Sequence, residues 1–203
     1  DGGVMGPYRI LSSYSAIRRA GIEDDGSRAS NAKLRLADMD RDGLHASVIY
    51  GPHLFGLPIA DPDLRAAVLA GYNDWASEFN AHAPDRLCVL AVLPTDSPER
   101  ATAELERVAK AGHRGAIISP WEFRCSDPAW DRLWAAAAET RLPISFHIGH
   151  GTSQVKIKAG SWEMAAFAAV GPMQLDEPLA MMVYSGALER HPGMRLVLAE
   201  SGI

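Results

Sequence analysis

The sequence predicts an α/β protein that forms a partial (β/α)8 TIM barrel with about five parallel strands. Short apolar runs alternate with amphipathic segments, and three of these segments begin at an Asp-Pro or Ser-Pro pair, which is typical of a helix N-terminus. Two successive strand-to-strand steps, from Leu87 to Gly115 and from Gly115 to Pro143, are nearly equal in length. No glycine-rich dinucleotide fingerprint follows any strand. Alternation at even spacing indicates parallel pairing with right-handed crossovers, which favours a barrel.

The prediction divides the chain into two parts. Residues 1–33 form an irregular N-terminal segment, because they are rich in Gly, Ser, Arg and Asp and lack sustained periodicity; one short helix is expected at Tyr14–Arg19. Residues 34–203 form an incomplete barrel, since a closed barrel has eight strands in about 250 residues. The chain begins without methionine and stops just past an apolar strand. We therefore expect an internal fragment that lacks one strand before Ala46 and two after Ile203.

The first half of the barrel is predicted from helix caps and periodicity. A helix over Leu34–Asp42 leads to the β-rich run Ala46–Gly51. Asp61 and Pro62 then begin a long helix, whose apolar residues recur at spacings of three and four. The next strand is Leu87–Pro94.

The second half repeats this pattern. Ser97 caps a helix that Gly112 ends, and Asp127 begins a further helix after the strand Gly115–Pro120. The remaining elements are the strand Pro143–Gly149, a helix around Glu177–Arg190 and the strand Arg195–Glu200. The step between these last two strands is much longer than the others. We expect its excess, residues 152–174, to lie across the rim as a lid or specificity loop.

Composition and charge indicate a globular protein with a hydrophobic core. Of 203 residues, 47% are hydrophobic and 22% are charged, and the formal net charge is -5. This acidic balance argues against nucleic acid or an anionic membrane as the main partner. No apolar stretch approaches the roughly 18 residues that span a membrane, and no signal peptide is recognisable. We expect a cytoplasmic protein in which Cys88 and Cys125 are reduced structural thiols.

His147 is the strongest candidate for a metal ligand. It ends the buried strand Pro143–Gly149, where an imidazole without a partner would cost roughly 1–3 kcal/mol. In an α/β barrel this end of a strand faces the site of metals and substrates, and neutral imidazole is a common metal ligand. The alternative is a histidine that bonds a neighbouring backbone carbonyl. His150, in the loop that follows, is a candidate for substrate contact, although solvent exposure explains it as well.

Glu200 is the candidate catalytic residue. It ends the apolar run Arg195–Ala199, which should be buried in the barrel wall, so we expect its carboxylate to be desolvated unless a cation or donors hold it. Such a group suits a general acid or base, a metal ligand, or an orienter of a metal-bound water. The structural alternative is a glutamate paired with an arginine.

Four further residues follow the strand Gly115–Pro120 and should face the same mouth: Trp121, Glu122, Phe123 and Arg124. They are expected to wall a pocket for an aromatic or acidic substrate, although packing at the rim explains them equally well. Trp121 and Arg124 are the candidates for substrate binding. The sequence contains no nucleophile elbow, phosphate loop or His-Glu-x-x-His motif.

Several short segments together carry a family resemblance: Leu36–Gly43, Tyr72–Trp75, Pro84–Leu87 with Leu93–Pro94, Gly112–Ala116, Pro143–His147, and His191–Gly193 with Leu198–Ile203. From about Leu36 to Ile203 the chain resembles the amidohydrolase-related (amidohydrolase 2) family, relatives of aminocarboxymuconate-semialdehyde decarboxylase and the resorcylate decarboxylases. The resemblance implies a metal-dependent barrel, usually with zinc or manganese.

The resemblance assigns only one metal ligand within this chain. His147 matches the histidine ligand on the fifth strand of the family. The chain has no histidine before His45, so the first-strand His-x-His or Glu-x-His pair is not present, and the last-strand aspartate would lie beyond Ile203. Many decarboxylases of the family have a histidine that opens a glycine-rich turn after the sixth strand. This chain has Glu200 there, which leaves the reaction class open.

These observations predict a metal-dependent enzyme that acts on a small carboxylate or cyclic substrate, with zinc as the expected metal and manganese as the alternative. We favour hydrolysis, because Glu200 is suited to orient a metal-bound water. The alternatives are a metal-dependent non-oxidative decarboxylase of the same family and a non-catalytic degenerate barrel. The fragment alone is expected to be inactive. A small-molecule substrate is the expected partner, and a homodimer is implied by family resemblance only.

Overall fold

The structure, a computed structural model, describes residues 28–51, 59–149 and 160–202. The chain divides into two compact units, residues 1–45 and 46–203. The described part of the first unit holds a short 3-10 helix over Arg28–Ser30 and helix α1 over Ala32–Arg41.

Helix α1 corresponds to the predicted helix over Leu34–Asp42. Its cap is Asn31, whose side-chain oxygen accepts a hydrogen bond from the backbone N–H of Leu34. The short helix predicted at Tyr14–Arg19 lies outside the described residues. The domain boundary predicted at residue 33 stays a prediction.

The second unit is built on parallel strands. These are β1 (Ser47–Ile49), β2 (Leu87–Val89), β3 (Ala91–Val92), β4 (Ala116–Ile118), β5 (Ile144–His147) and β6 (Leu196–Ala199). They pair in the orders β1-β2 and β3-β4-β5-β6. Because β2 and β3 lie on one segment, the two sheets are continuous. The N–H of Leu90 donates to Ile49 at 3.0 Å, and that of Ala91 donates to Gly115 at 3.2 Å. The five predicted parallel strands are therefore confirmed, with one of them broken at Leu90.

The helices follow the strands in the predicted alternation. They are α2 (Pro62–Ala81), α3 (Pro98–Lys110), α4 (Asp131–Thr140), α5 (Trp162–Val170), α6 (Asp176–Tyr184) and α7 (Ala187–Arg190), with 3-10 turns at Pro128–Trp130 and Gly171–Leu175. The predicted caps of α2 and α3 are confirmed, because the side chains of Asp61 and Ser97 accept hydrogen bonds from backbone N–H groups of the first turn.

Two sequence-based expectations for the C-terminal part were wrong. The segment predicted as a loop over residues 152–174 is helical where it is described, because Ser161 caps α5 and the residues after it are rich in alanine. Its place across the rim stays a prediction. Residues 152–159 lie outside the described residues. The single helix predicted around Glu177–Arg190 is two helices, because Gly186 between them has a φ of 75°, which a right-handed helix does not allow.

Side chains of the sheet alternate between two faces. Ala116 and Ile118 belong to the main core, where the sheet packs against its helices, whereas Ile117 packs with Leu90 in a smaller core on the opposite face. On β5 the main core contains Ile144 and Phe146. The intervening Ser145 and His147 therefore point to the inner face of the sheet, which corresponds to the inside of a barrel.

Two asparagines of α2 hold the broken strand. The side-chain oxygen of Asn73 accepts from the N–H of Val92 at 2.7 Å, and its amide nitrogen donates to the carbonyl of Val92 at 3.0 Å. Asn80 makes the same pair of bonds with Val89, at 2.7 and 3.0 Å. Asn73 is 1% exposed. These side chains satisfy backbone groups at the point where β2 passes into β3.

A buried histidine links α2 to the turn before β4. His113 is buried, and its Nε2 lies 3.0 Å from the carbonyl oxygen of Asn73, which can only accept. Burial lowers the pKa of His113 below its usual value. The neutral ring is therefore the form that the fold accommodates.

Both cysteines, Cys88 and Cys125, are free and buried. Burial raises the pKa of the Cys125 thiol to about 11. Among the described residues, no helix combines the length and apolar composition that crossing a membrane requires.

We expect Asn73→Ala to lower the free energy of unfolding by about 2–4 kcal/mol, because the N–H and carbonyl of Val92 would be left buried without these partners. Urea unfolding measures this change. Ser77→Ala is the matched control on the same helix. Its hydroxyl bonds the carbonyl of Ala111 at 3.0 Å in an exposed position, so a loss of about 1 kcal/mol or less is expected. Equal losses in both variants would contradict the role assigned to Asn73.

The lowered pKa of His113 predicts that stability falls as the pH drops below about 6.5. Below that value the unfolded chain binds a proton that the folded protein does not, so stability is lost at up to about 1.4 kcal/mol per pH unit. His113→Gln keeps a donor for Asn73 and removes the titration. Urea unfolding between pH 7 and 5 should give a flatter profile for this variant, whereas His82→Gln, at an exposed position, should keep the wild-type slope. Parallel wild-type and His113→Gln profiles would contradict this account.

Candidate functional site

Five described side chains lie at the carboxyl ends of the parallel strands. Tyr50 follows β1, Thr95 follows β3, and Trp121 follows β4. His147 is the last residue of β5, and Glu200 comes directly after β6. Because neighbouring parallel strands end at the same edge, one rim carries all five residues.

The imidazole of His147 has a defined tautomer in its neutral form. The side chain is 9% exposed, and Nδ1 lies 2.5 Å from the carbonyl oxygen of Ile148. A carbonyl only accepts, so Nδ1 carries the proton and Nε2 carries the lone pair. The sequence analysis treated a carbonyl-bonded histidine and a metal ligand as alternatives. The geometry makes them compatible, since a ligating histidine usually donates its other N–H to such an acceptor.

Glu200 lies beside this lone pair. Its Oε2 is 3.7 Å from Nε2 of His147, a separation beyond that of a direct hydrogen bond. The backbone of Glu200 has a φ of 61°, which is uncommon outside glycine and is found at functional sites. The structure thus brings together the two residues that the sequence analysis ranked highest.

The burial expected for Glu200 was wrong. Its side chain is 63% exposed, and Val197 within β6 is 38% exposed. The reason is that β6 pairs with β5 on one side only; no described strand adjoins its other edge. A strand that is half-covered leaves its carboxyl end open to water.

The other predicted site residues do not all lie at this pair. Trp121 lies close to the pair, because its Nε1 donates to the backbone carbonyl of His147 at 3.4 Å. Arg124 is exposed, and its Nε donates to Ser126 at 3.4 Å. His150 lies outside the described residues. The roles of all three in substrate binding stay predictions.

Sequence analysis missed two neighbours of His147. The ring of Tyr50 lies 5.5 Å from the His147 ring, between centroids, and its hydroxyl is 3.3 Å from Oγ of Ser145. A signal for Ser145 exists in the sequence. It is a polar residue within an apolar strand, two positions before His147, and period-two alternation places both on one face.

A second polar group stands beside Trp121. The hydroxyl of Thr95 donates to Oε2 of Glu122 at 2.5 Å, and the guanidinium of Arg65 on α2 pairs with the same carboxylate. The side chains of Arg65 and Glu122 are 18% and 23% exposed. This arrangement directs Glu122 toward β3 and α2, while the neighbouring Trp121 is directed toward β5.

The residues at the rim fit part of a metal site. An imidazole with its lone pair on Nε2 and a nearby carboxylate are both suitable donors for zinc or manganese. Within residues 28–51, 59–149 and 160–202, however, no group of three or more His, Cys, Asp or Glu side chains converges. A tight site needs at least three protein ligands. His147 and Glu200 alone therefore do not complete one.

Comparison with known proteins gives consistent family matches. A family model described as amidohydrolase matches residues 16–203. The gamma-resorcylate decarboxylase of Rhodococcus jostii is 26% identical over 191 residues, which cover 83% of this chain and 55% of that protein. The chain spans about half the length of the curated relatives it matches.

Solved structures agree on the fold. A 2,6-dihydroxybenzoate decarboxylase complexed with 2,6-dihydroxybenzoate is 20% identical with a TM-score of 0.65, covering 94% of this chain and 60% of that chain. A dihydroxybenzoic acid decarboxylase from Polaromonas, with bound manganese and the inhibitor 2-nitroresorcinol, is 18% identical with a TM-score of 0.64. It covers 93% of this chain and 57% of that chain.

Proposed function

Because the chain belongs to the amidohydrolase family, we propose that the complete protein is a metal-dependent decarboxylase of small hydroxylated aromatic carboxylic acids. The observation that carries this proposal is the pair of His147 and Glu200, 3.7 Å apart at the carboxyl edge of the sheet. A nitrogen ligand and a proton-carrying group at one place are what such a reaction requires.

The comparisons favour decarboxylation over the hydrolysis that the sequence analysis preferred. The curated relatives include several gamma-resorcylate decarboxylases at 25–26% identity. Glu200 alone favours hydrolysis, and its carboxyl group serves equally well as the acid of a decarboxylase. Hydrolysis of a small cyclic or carboxylate substrate stays the second candidate on the strength of that residue.

The described residues have separate roles in this proposal. His147 would hold a divalent metal through Nε2, together with ligands from outside the described residues; zinc and manganese are both suited to imidazole and carboxylate donors. When bound, the metal would supply positive charge that attracts the oxygens of the substrate. Trp121 would form an apolar wall for an aromatic ring beside His147.

Glu200 would act as the acid. Its protonated carboxyl donates a proton to the ring carbon that bears the substrate carboxylate. The bond between that carbon and the carboxylate then breaks, carbon dioxide leaves, and the bonding pair restores the aromatic ring. Glu200 regains its proton from water, which its 63% exposed side chain can reach.

His147→Ala in the complete protein should lower the bound metal at least tenfold, because it removes a nitrogen ligand. Metal analysis of the purified protein measures the stoichiometry. His82→Ala, at an exposed helix end, is the control and should bind metal as the wild type does. Unchanged metal content in His147→Ala would reject its role as a ligand.

The complete protein with added Mn²⁺ or Zn²⁺ should release carbon dioxide from 2,6-dihydroxybenzoate or a related hydroxybenzoate. Glu200→Gln should lower kcat by about a hundredfold and change KM little, because it removes a proton donor and keeps the shape of the side chain. Glu189→Gln, on α7, is the control and should retain wild-type turnover.

Carbon dioxide release and lactone hydrolysis should be measured side by side. Hydrolysis of small lactones, without release of carbon dioxide from hydroxybenzoates, would favour the second candidate function, hydrolysis. Wild-type kcat in Glu200→Gln would remove this residue from the mechanism. If the metal-bound protein shows neither activity, the result would support a non-catalytic binding protein.

A further inference from the structure

We infer that Tyr50 is a positioning residue for His147. The Tyr50 side chain crosses the inside of the curved sheet and fixes the orientation of the imidazole ring. The orienting role concerns the ring alone, whereas its effect on metal binding rests on the proposed function. Tyr50 contacts both inward-facing residues of β5. These are Ser145, through the hydroxyl, and His147, through the ring.

The contact spans most of the sheet. Between β1, which precedes Tyr50, and β5 lie the segment of β2 and β3 and then β4. Three steps at the usual strand spacing amount to about 14 Å along the sheet. The Tyr50 hydroxyl nevertheless reaches within 3.3 Å of Ser145 Oγ. The sheet is therefore curved enough for a side chain from its first strand to reach the inner face of β5.

The backbone after Tyr50 is fixed from the other side. A Cβ at Gly51 would overlap the hydroxyl of Tyr72 on α2, so this helix packs directly against the Gly51 backbone. Tyr50 also packs against the small inner core of Cys88, Leu90 and Ile117. The half-buried ring therefore packs against the inner face of the sheet at the rim.

The contact with Tyr50 affects whether Nε2 of His147 faces Glu200. The Nδ1 hydrogen bond to Ile148 sets the tautomer, but rotation of the ring about the Cβ–Cγ bond would put a ring carbon in the place of each nitrogen and break this bond. The Tyr50 ring, tilted by 53° to the imidazole, lies against it and opposes this rotation. Its hydroxyl contact with Ser145 keeps the Tyr50 ring in place.

Long-range ¹H–¹⁵N NMR of the metal-free protein tests the orienting role, because it reports the tautomer and averaging of the His147 ring without any activity. In wild-type protein we expect a protonated Nδ1 and an unprotonated Nε2, assigned by comparison with His147→Gln. Tyr50→Leu should bring the two nitrogen signals closer together, because a ring that turns away from the Ile148 carbonyl loses the bond that fixes its tautomer and exchanges between the two tautomers. Tyr72→Phe, which removes a hydroxyl on the α2 side of the same strand end, should leave them unchanged.

Two milder variants keep the inference testable where Tyr50→Leu does not fold. Tyr50→Phe and Ser145→Ala each remove one side of the same hydrogen bond. Both should shift the His147 signals in the same direction, and the double variant should match either single variant. Wild-type signals in folded Tyr50→Leu, or in both milder variants, would overturn the inference.

Metal affinity of the complete protein tests the effect on metal binding. Tyr50→Leu should raise the Kd for Mn²⁺ or Zn²⁺ roughly tenfold, as expected when the orientation of a ligand is lost, and Tyr50→Phe should raise it less. Altered NMR signals together with unchanged affinity would retain the orienting role and remove its link to the metal. Absence of metal binding in the wild type would reject the proposed function, whereas the NMR result would still decide the role of Tyr50.

Discussion

The segment Leu87–Val92 is the constraint on which the rest of the structure depends. It bonds to β1 through β2 and to β4 through β3, so it alone joins the described strands into one sheet. At its break, Asn73 and Asn80 supply the hydrogen bonds that a regular ladder would have supplied. Because these bonds come from α2, the helix is fixed to the sheet by polar contacts as well as by apolar packing. The position of Tyr50 at the end of β1 follows from this junction.

The two faces of the sheet have different chemistry, and the candidate site follows from that difference. The outer face carries the large core with the tryptophans and leucines of the helices. The inner face holds a small core and tolerates Ser145 and His147, since each has a partner on that face or at the rim. The polar side chains of β5 thus lie on the inner face and at the carboxyl edge of the sheet, where the proposed substrate would bind.

What the sequence predicted well is encoded locally. Asp61 and Ser97 bond to N–H groups within their own helices, so a short window contains the whole signal. The exposure of Glu200 depends instead on whether a neighbour covers β6, which no feature of the run Arg195–Ala199 reveals. Tyr50 and Ser145 are 95 positions apart, and their contact depends on sheet curvature rather than on any motif. The sequence therefore predicted His147 from its strand but could not predict what orients it.

The distance between His147 and Glu200 also determines which chemistry the site can support. A ring nitrogen and a carboxyl oxygen lie 3.7 Å apart at the edge of the sheet. Both proposed reactions use a nitrogen ligand for a metal and a proton carrier at one place. The pair therefore explains why the site is suited to acid–base and metal chemistry. The choice of substrate depends on the side chains around the pair, and among the described residues Trp121 lies beside His147.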